Sequence, residues 1–179
     1  MKSILRALAF FIVVSGCTLS HASDNGGLPK FSNYSVNVYR GELKIPDYYK
    51  KIDGDWRDDM GKLVAPPAVN FAGKYYIGTH SCGSGCIYYT LSDLTTGADS
   101  NALNIFSSDG EHPQKTSDGR TYITSLVSQP DSKMLIAQYH IDPNATAKEE
   151  CRERIFSLSD DGKQVRAITK TVDYCEQTR

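Results

Sequence analysis

After a short apolar run at its start, the chain settles into brief alternating segments. Tyr34, Val36 and Val38 alternate with Ser35, Asn37 and Tyr39, the period-2 pattern of a half-buried strand. Lys74–His80 and Ile87–Asp93 read as two strands joined through Cys82-Gly83-Ser84-Gly85-Cys86, and Thr95-Thr96-Gly97 closes the second with turn chemistry. Ala102–Phe106 is a short apolar run read as a further strand. Residues 107–120 form a polar loop with two Ser-Asp-Gly turns. Tyr122–Val127 and Lys133–His140 are strands around Gln129-Pro130-Asp131-Ser132, and 141–150 is a loop with a short helical turn at Ala-Lys-Glu-Glu. Arg154–Ser159 and Gln164–Thr171 flank Asp160-Asp161-Gly162-Lys163 as a hairpin.

One segment has a different period. In residues 55–64 (DWRDDMGKLV), Asp55 is a candidate N-cap and Trp56, Met60 and Leu63 fall on one helical face before Pro66-Pro67 ends the segment. The expected fold is therefore mainly β: a compact antiparallel sandwich or a partial propeller-like stack, with one short helix and two disulfides. A length of 179 residues suits one such domain and is too short for a whole propeller.

The apolar run Leu8–Val14, preceded by Lys2 and Arg6, reads as the core of an export signal over residues 1–22. It is far shorter than the ~20 residues that span a bilayer. Two cleavage readings stand side by side. Ser20-His21-Ala22 fits a signal peptidase, giving a chain that starts at Ser23. Val14-Ser15-Gly16-Cys17 resembles a bacterial lipobox and would make Cys17 a lipidated first residue, with Thr18 favouring the outer membrane. Residues 23–33 read as a polar tether and 34–179 as the β-rich domain. The expected location is the periplasm, with membrane contact only through a lipid on Cys17. Loss of the leader removes Lys2 and Arg6 but no acid, which moves the net charge from −1 to −3. An acidic chain of this kind is not suited to binding nucleic acid by bulk electrostatics.

Setting Cys17 aside leaves Cys82, Cys86, Cys151 and Cys175. An even number in an exported chain reads as disulfides, and four cysteines allow three pairings. The flexible Gly83-Ser84-Gly85 spacer favours Cys82–Cys86, and the hairpin between Cys151 and Cys175 favours the second bridge. Chain entropy assigns ~2 kcal/mol to the short loop and ~3.5 kcal/mol to the long one. Cys-x-x-x-Cys is not the redox Cys-x-x-Cys, and His80 with Cys82 and Cys86 lacks the paired spacing of common zinc sites. No metal or cofactor is expected.

Asn70-Phe71-Ala72-Gly73-x-Tyr75, Cys82-Gly83-x-Gly85-Cys86 and Asp93-x-x-Thr96-Gly97 resemble the N-F-A-G-x-Y, C-G-x-G-C and D-x-x-T-G motifs of a largely uncharacterised family of small exported bacterial proteins. Cys151-Arg152-x-Arg154 is similar to that family's C-terminal part. The resemblance implies an exported, disulfide-bearing β-domain and supplies no catalytic residues.

No catalytic set is expected from the residues either. Ser84 lies between glycines but not in a Gly-x-Ser-x-Gly elbow. His112 and His140 fall in or beside polar loops, and Asp53, Asp55, Asp58 and Asp59 read as a solvated face around Trp56 and Arg57. Eleven tyrosines include the strand doublets Tyr75-Tyr76 and Tyr88-Tyr89, so one ring of each is expected to face outward. These features point to a protein-binding module of the cell envelope. In its concrete form it is a periplasmic immunity or inhibitor protein that occludes a secreted envelope-targeting enzyme, such as a peptidoglycan-cleaving effector; its organisation is similar to that of periplasmic immunity proteins. The expected contact residues are His80, Ser81, Gly83, Ser84 and Gly85, with Trp56 and Arg57. The other reading is an outer-membrane lipoprotein with a structural or envelope-maintenance role.

Overall fold

Among the described residues there are nine strands, each paired antiparallel with a strand next to it in sequence. β1 (Lys50–Ile52) and β2 (Asp55–Arg57) form a hairpin. β3 (Tyr75–Gly83), β4 (Cys86–Asp93) and β5 (Ala98–Ser100) form a three-stranded meander. β6 (Tyr122–Ser128), β7 (Met134–Ile141), β8 (Glu150–Leu158) and β9 (Val165–Ala167) form a four-stranded one. Short turns rich in Gly, Asp and Ser leave the chain no room for a crossover, so each sheet is an up-and-down ribbon. This is a computed structural model, and it describes residues 27–108 and 110–175. The export segment, both cleavage readings and Cys17 lie outside the described residues. Among those residues no helix is long and apolar enough to cross a membrane.

Strand alternation determines how the sheets stack. Tyr75 and Ile77 of β3, with Tyr89 and Leu91 of β4, pack with Leu103 and Phe106 against Leu135 and Ala137 of β7 and Phe156 and Leu158 of β8. This is the central core, between the second and third sheets. The opposite face of the third sheet, with Met134, Ile136 and Ile155, is covered by Leu28, Phe31 and Tyr34. Phe31, in the stretch read as tether, is buried there. The opposite face of the second sheet, with Tyr76, is covered by residues 43–69, including Tyr49, Trp56, Val64 and Val69. The three sheets therefore lie one on another in chain order. Because the second sheet is covered on both faces, neither tyrosine doublet points a ring freely outward: Tyr75, Tyr76 and Tyr89 are buried and Tyr88 is half-buried.

The mainly β class and both disulfides agree with the sequence reading: Cys82 joins Cys86 and Cys151 joins Cys175, with Cα–Cα separations of 5.1 and 5.6 Å. Four local expectations do not. Residues 55–64 are not a helix. Asp55–Arg57 is strand β2, and the Asp58 carboxylate takes the N–H groups of Met60 and Lys62 at 3.1 and 2.8 Å to make a turn. A side chain that bonds its own backbone in this way competes with a helix too short to hold itself. Met60 and Leu63 are consequently exposed rather than buried on a shared face.

The strand expected at Tyr34–Tyr39 is also absent. A 3-10 helix occupies Phe31–Tyr34, and the extended chain beyond it is held by scattered bonds, Val36 N–H to Asp131 at 2.7 Å and Tyr39 N–H to Gly73 at 2.6 Å. Its neighbours are turns, which offer no continuous ladder. Ala102–Phe106 belongs to a second 3-10 helix, Asn101–Phe106, started by the Ser100 hydroxyl accepting from the Ala102 N–H at 3.2 Å. In place of the helical turn after 144, the Asn144 side chain accepts from the Thr146 and Ala147 N–H groups, and β8 begins at Glu150.

Candidate functional site

The β3–β4 hairpin ends in a short loop closed by the Cys82–Cys86 bridge. Ser81, Cys82, Gly83, Ser84 and Gly85 are all exposed. The pairing register shifts between Ser81 and Gly83, and Gly83 and Gly85 take φ values of +140° and +69° that other residues rarely adopt. The base of the loop is braced on one side by a two-bond pair between Ile87 and Ser108, at 3.0 and 2.8 Å. The result is a projecting tip with little backbone freedom.

Beneath the tip lies a buried polar cluster. Alternation puts Gly78 and His80 of β3 on the same face as Tyr88 and Thr90 of β4, where residues 43–69 cover them. His80 is 2% exposed and Asp58 4%. His80 Nδ1 lies 2.9 Å from Asp58 Oδ2, and Nε2 lies 3.0 Å from the Tyr49 hydroxyl and 3.1 Å from that of Thr90. The two hydroxyls are themselves 2.7 Å apart. The imidazole stacks on the Tyr88 ring at 4.6 Å, and the Tyr49 ring lies near-parallel at 5.7 Å. Gly78 makes this possible: a Cβ there would stand 2.0 Å from the Tyr49 hydroxyl oxygen and 2.6 Å from that of Thr90. A second link extends the network through Tyr48, whose hydroxyl bonds Ser92 and Asp99 at 3.1 and 3.0 Å.

Burial opposes ionisation of Asp58, but bonds from His80 and from the Lys62 and Met60 N–H groups outweigh it and hold the carboxyl below its ordinary pKa. The Nδ1–H of His80 then donates to Asp58, and Nε2 takes part in the hydroxyl pair. Burial pushes the Tyr49 phenol well above its ordinary value, so it stays protonated and can donate. Tyr76, also buried, is pushed up to about 12 and donates to the Ala65 carbonyl at 2.8 Å. Asp93 is likewise held low: Lys74 at 2.6 Å and the Thr95 hydroxyl and N–H outweigh its partial burial.

These two carboxyls give the stability a pH dependence of definite sign. Each folded pKa lies below the unfolded value of about 4, so the stabilisation is present above that pH and is lost as pH falls through the folded values. The melting temperature is expected to be flat near neutrality and to fall steeply below about pH 4. Asp58→Asn should flatten that fall in a melting series run from neutral to acid.

The structure separates the residues singled out in the sequence. Ser81, Gly83, Ser84 and Gly85 lie on the exposed tip, whereas His80 is turned inward and its side chain is not available at the surface. Trp56 and Arg57 are half-buried; Trp56 packs in the layer over the second sheet, and Arg57 Nη1 donates to the Gly61 carbonyl at 2.8 Å. They are joined to the tip through their neighbour Asp58, the residue that bonds His80. Ser84 has no couple with His80, whose ring partners are Asp58, Tyr49 and Thr90. The motif residues Asn70 and Asp93 shape backbone: Asn70 bonds both the N–H and the carbonyl of Ile77 at 2.7 and 3.0 Å, and Asp93 caps the turn to Gly97. Among the described residues, no group of three or more His, Cys, Asp or Glu is arranged to hold a metal ion.

The sequence reading missed Asp58, Tyr49 and Thr90 as partners of His80. A histidine and a threonine ten residues apart across a tight hairpin could have signalled a shared face, but nothing marked which segment covers it. Met60 and Leu63 were missed as surface residues. They are 43% and 65% exposed on the turn that Asp58 anchors at the base of the tip. The arrangement defines a small disulfide-tied β-domain with one braced, exposed loop. Comparison with protein-family models, with curated proteins and with solved structures finds no match for this chain.

Proposed function

We propose that this protein is a protein-binding module of the cell envelope, and that it acts as a periplasmic immunity or inhibitor protein by inserting its disulfide-closed tip into the cleft of a toxic envelope-targeting enzyme. The observation that carries this reading is the exposed loop Ser81–Gly85, locked by Cys82–Cys86, together with exposed Met60 and Leu63 on a turn tied to its base through Asp58 and His80. A loop with few conformations loses little entropy on docking, and exposed apolar side chains supply desolvated contact. Two disulfides suit an oxidising compartment.

The test is affinity capture with the oxidised domain from Ser23 onward, against envelope and secreted fractions of the source cells, followed by calorimetry on the captured protein. One stoichiometric partner with nanomolar affinity is expected, and a cell-wall hydrolase would support the immunity form. Ser84→Trp should weaken that complex at least tenfold. It should leave the melting temperature nearly unchanged, because substitutions on an exposed loop usually change stability by less than about 0.5 kcal/mol. Absence of any specific partner, with lipid found on Cys17, would overturn the reading in favour of a structural outer-membrane lipoprotein.

A further inference from the structure

The second disulfide has two unlike ends. Cys151 of β8 stands directly opposite His140 of β7, and its Sγ lies 3.7 Å from His140 Nδ1. A disulfide sulfur carries no proton, so a hydrogen bond between them runs from the Nδ1–H tautomer of the ring to sulfur. Cys175 Sγ instead lies 3.4 Å from the Arg152 carbonyl oxygen. Negative charge developing on Cys151 therefore meets a hydrogen-bond donor, whereas on Cys175 it meets an oxygen lone pair. A leaving thiolate that is stabilised leaves faster. His140 is exposed and both cysteines are half-buried, so the bridge lies at the surface rather than in the core.

We propose that Cys151–Cys175 is a thiol–disulfide exchange site for an external dithiol, with Cys175 the sulfur attacked and Cys151 the sulfur that leaves. In the first step a reductant thiolate attacks Cys175 Sγ. A bond forms between the reductant sulfur and Cys175, the Cys175–Cys151 bond breaks, and its electron pair departs on Cys151, held by the His140 N–H. In the second step the other thiolate of the dithiol attacks the reductant's own sulfur in the mixed disulfide and expels Cys175 as a thiolate. The dithiol is oxidised to its disulfide, the bridge receives two electrons, and each cysteine thiolate can take up one proton. The tail then loses its covalent tie to β8 and keeps the Val172–Glu153 backbone pair and the Asp173–Arg152 ion pair at 3.6 Å.

Limited reaction of the oxidised protein with reduced glutathione, quenched with iodoacetamide and read by mass spectrometry, tests both the direction and the role of His140. Glutathione is expected on Cys175 and the alkyl group on Cys151. His140→Ala should slow opening of this bridge roughly fivefold, since it removes a hydrogen bond to a sulfur that is becoming charged. Opening of Cys82–Cys86 in the same molecule should be unchanged. Glutathione chiefly on Cys151, or an unaltered rate in His140→Ala, would overturn the proposal. Should His140→Ala change both rates together, the position of glutathione on the unsubstituted chain decides.

Discussion

Asp58→Ala is expected to destabilise the folded domain by about 3 kcal/mol, the scale set by leaving a buried hydrogen-bond donor unpaired together with the loss of two turn bonds. The substitution strands three donors at once: His80 Nδ1–H and the N–H groups of Met60 and Lys62. Only the first is cut off from water: His80 is 2% exposed, whereas Met60 and Lys62 lie on an exposed turn. At roughly 2–4 °C per kcal/mol for a domain of this size, the melting temperature should fall by about 10 °C. The neighbouring Gly78→Ala should be comparably harmful for a different reason, since its methyl would occupy space held by the Tyr49 and Thr90 hydroxyls. A double-mutant cycle of Asp58→Ala with His80→Ala separates the pair from its surroundings. A coupling of about 1–3 kcal/mol is expected, and a sum of independent effects would mean that the two residues do not act as a unit.

Replacing Cys151 and Cys175 together by serine should cost more stability than replacing Cys82 and Cys86. The chain-entropy estimates are about 3.5 and about 2 kcal/mol, because the longer bridge closes the longer loop. The structure supports the ranking with packing. The long bridge holds the tail to β8 beside the paired backbone of Glu153 and Val172, and Glu153 is 0% exposed. The short bridge closes a loop that is already exposed, so its loss should loosen the tip and leave the sheets intact. Thermal melts of the two double variants measure this directly. An equal or reversed order would mean that native-state contacts, rather than loop length, set the value of each bridge.

The strands that the sequence made legible share one property: their partners lie next to them in the chain. Alternation across 74–93 and 122–141, with turn residues between, is enough to place β4, β6 and β7 within a residue and β3 within three. The same locality made both cysteine pairings readable. The elements misread were those whose conformation depends on a distant neighbour. Tyr34–Tyr39 alternates as a strand should, yet it lies beside the turns at Asp131 and Gly73 and finds no ladder. Residues 55–64 carry a helical spacing of apolar groups, but Asp58 is drawn toward His80 and organises the turn instead.

By itself, then, the chain's pattern determined a β-rich, disulfide-tied domain and a projecting Cys82–Cys86 loop, because hairpins, turns and short covalent loops are settled by residues close in sequence. Only the tertiary structure decided that the sheets stack in chain order, that His80 faces inward to Asp58, and that Met60 and Leu63 remain at the surface. Alternation states that a strand has two faces; which of them is covered, and by what, is decided by burial between segments that the chain brings together only on folding.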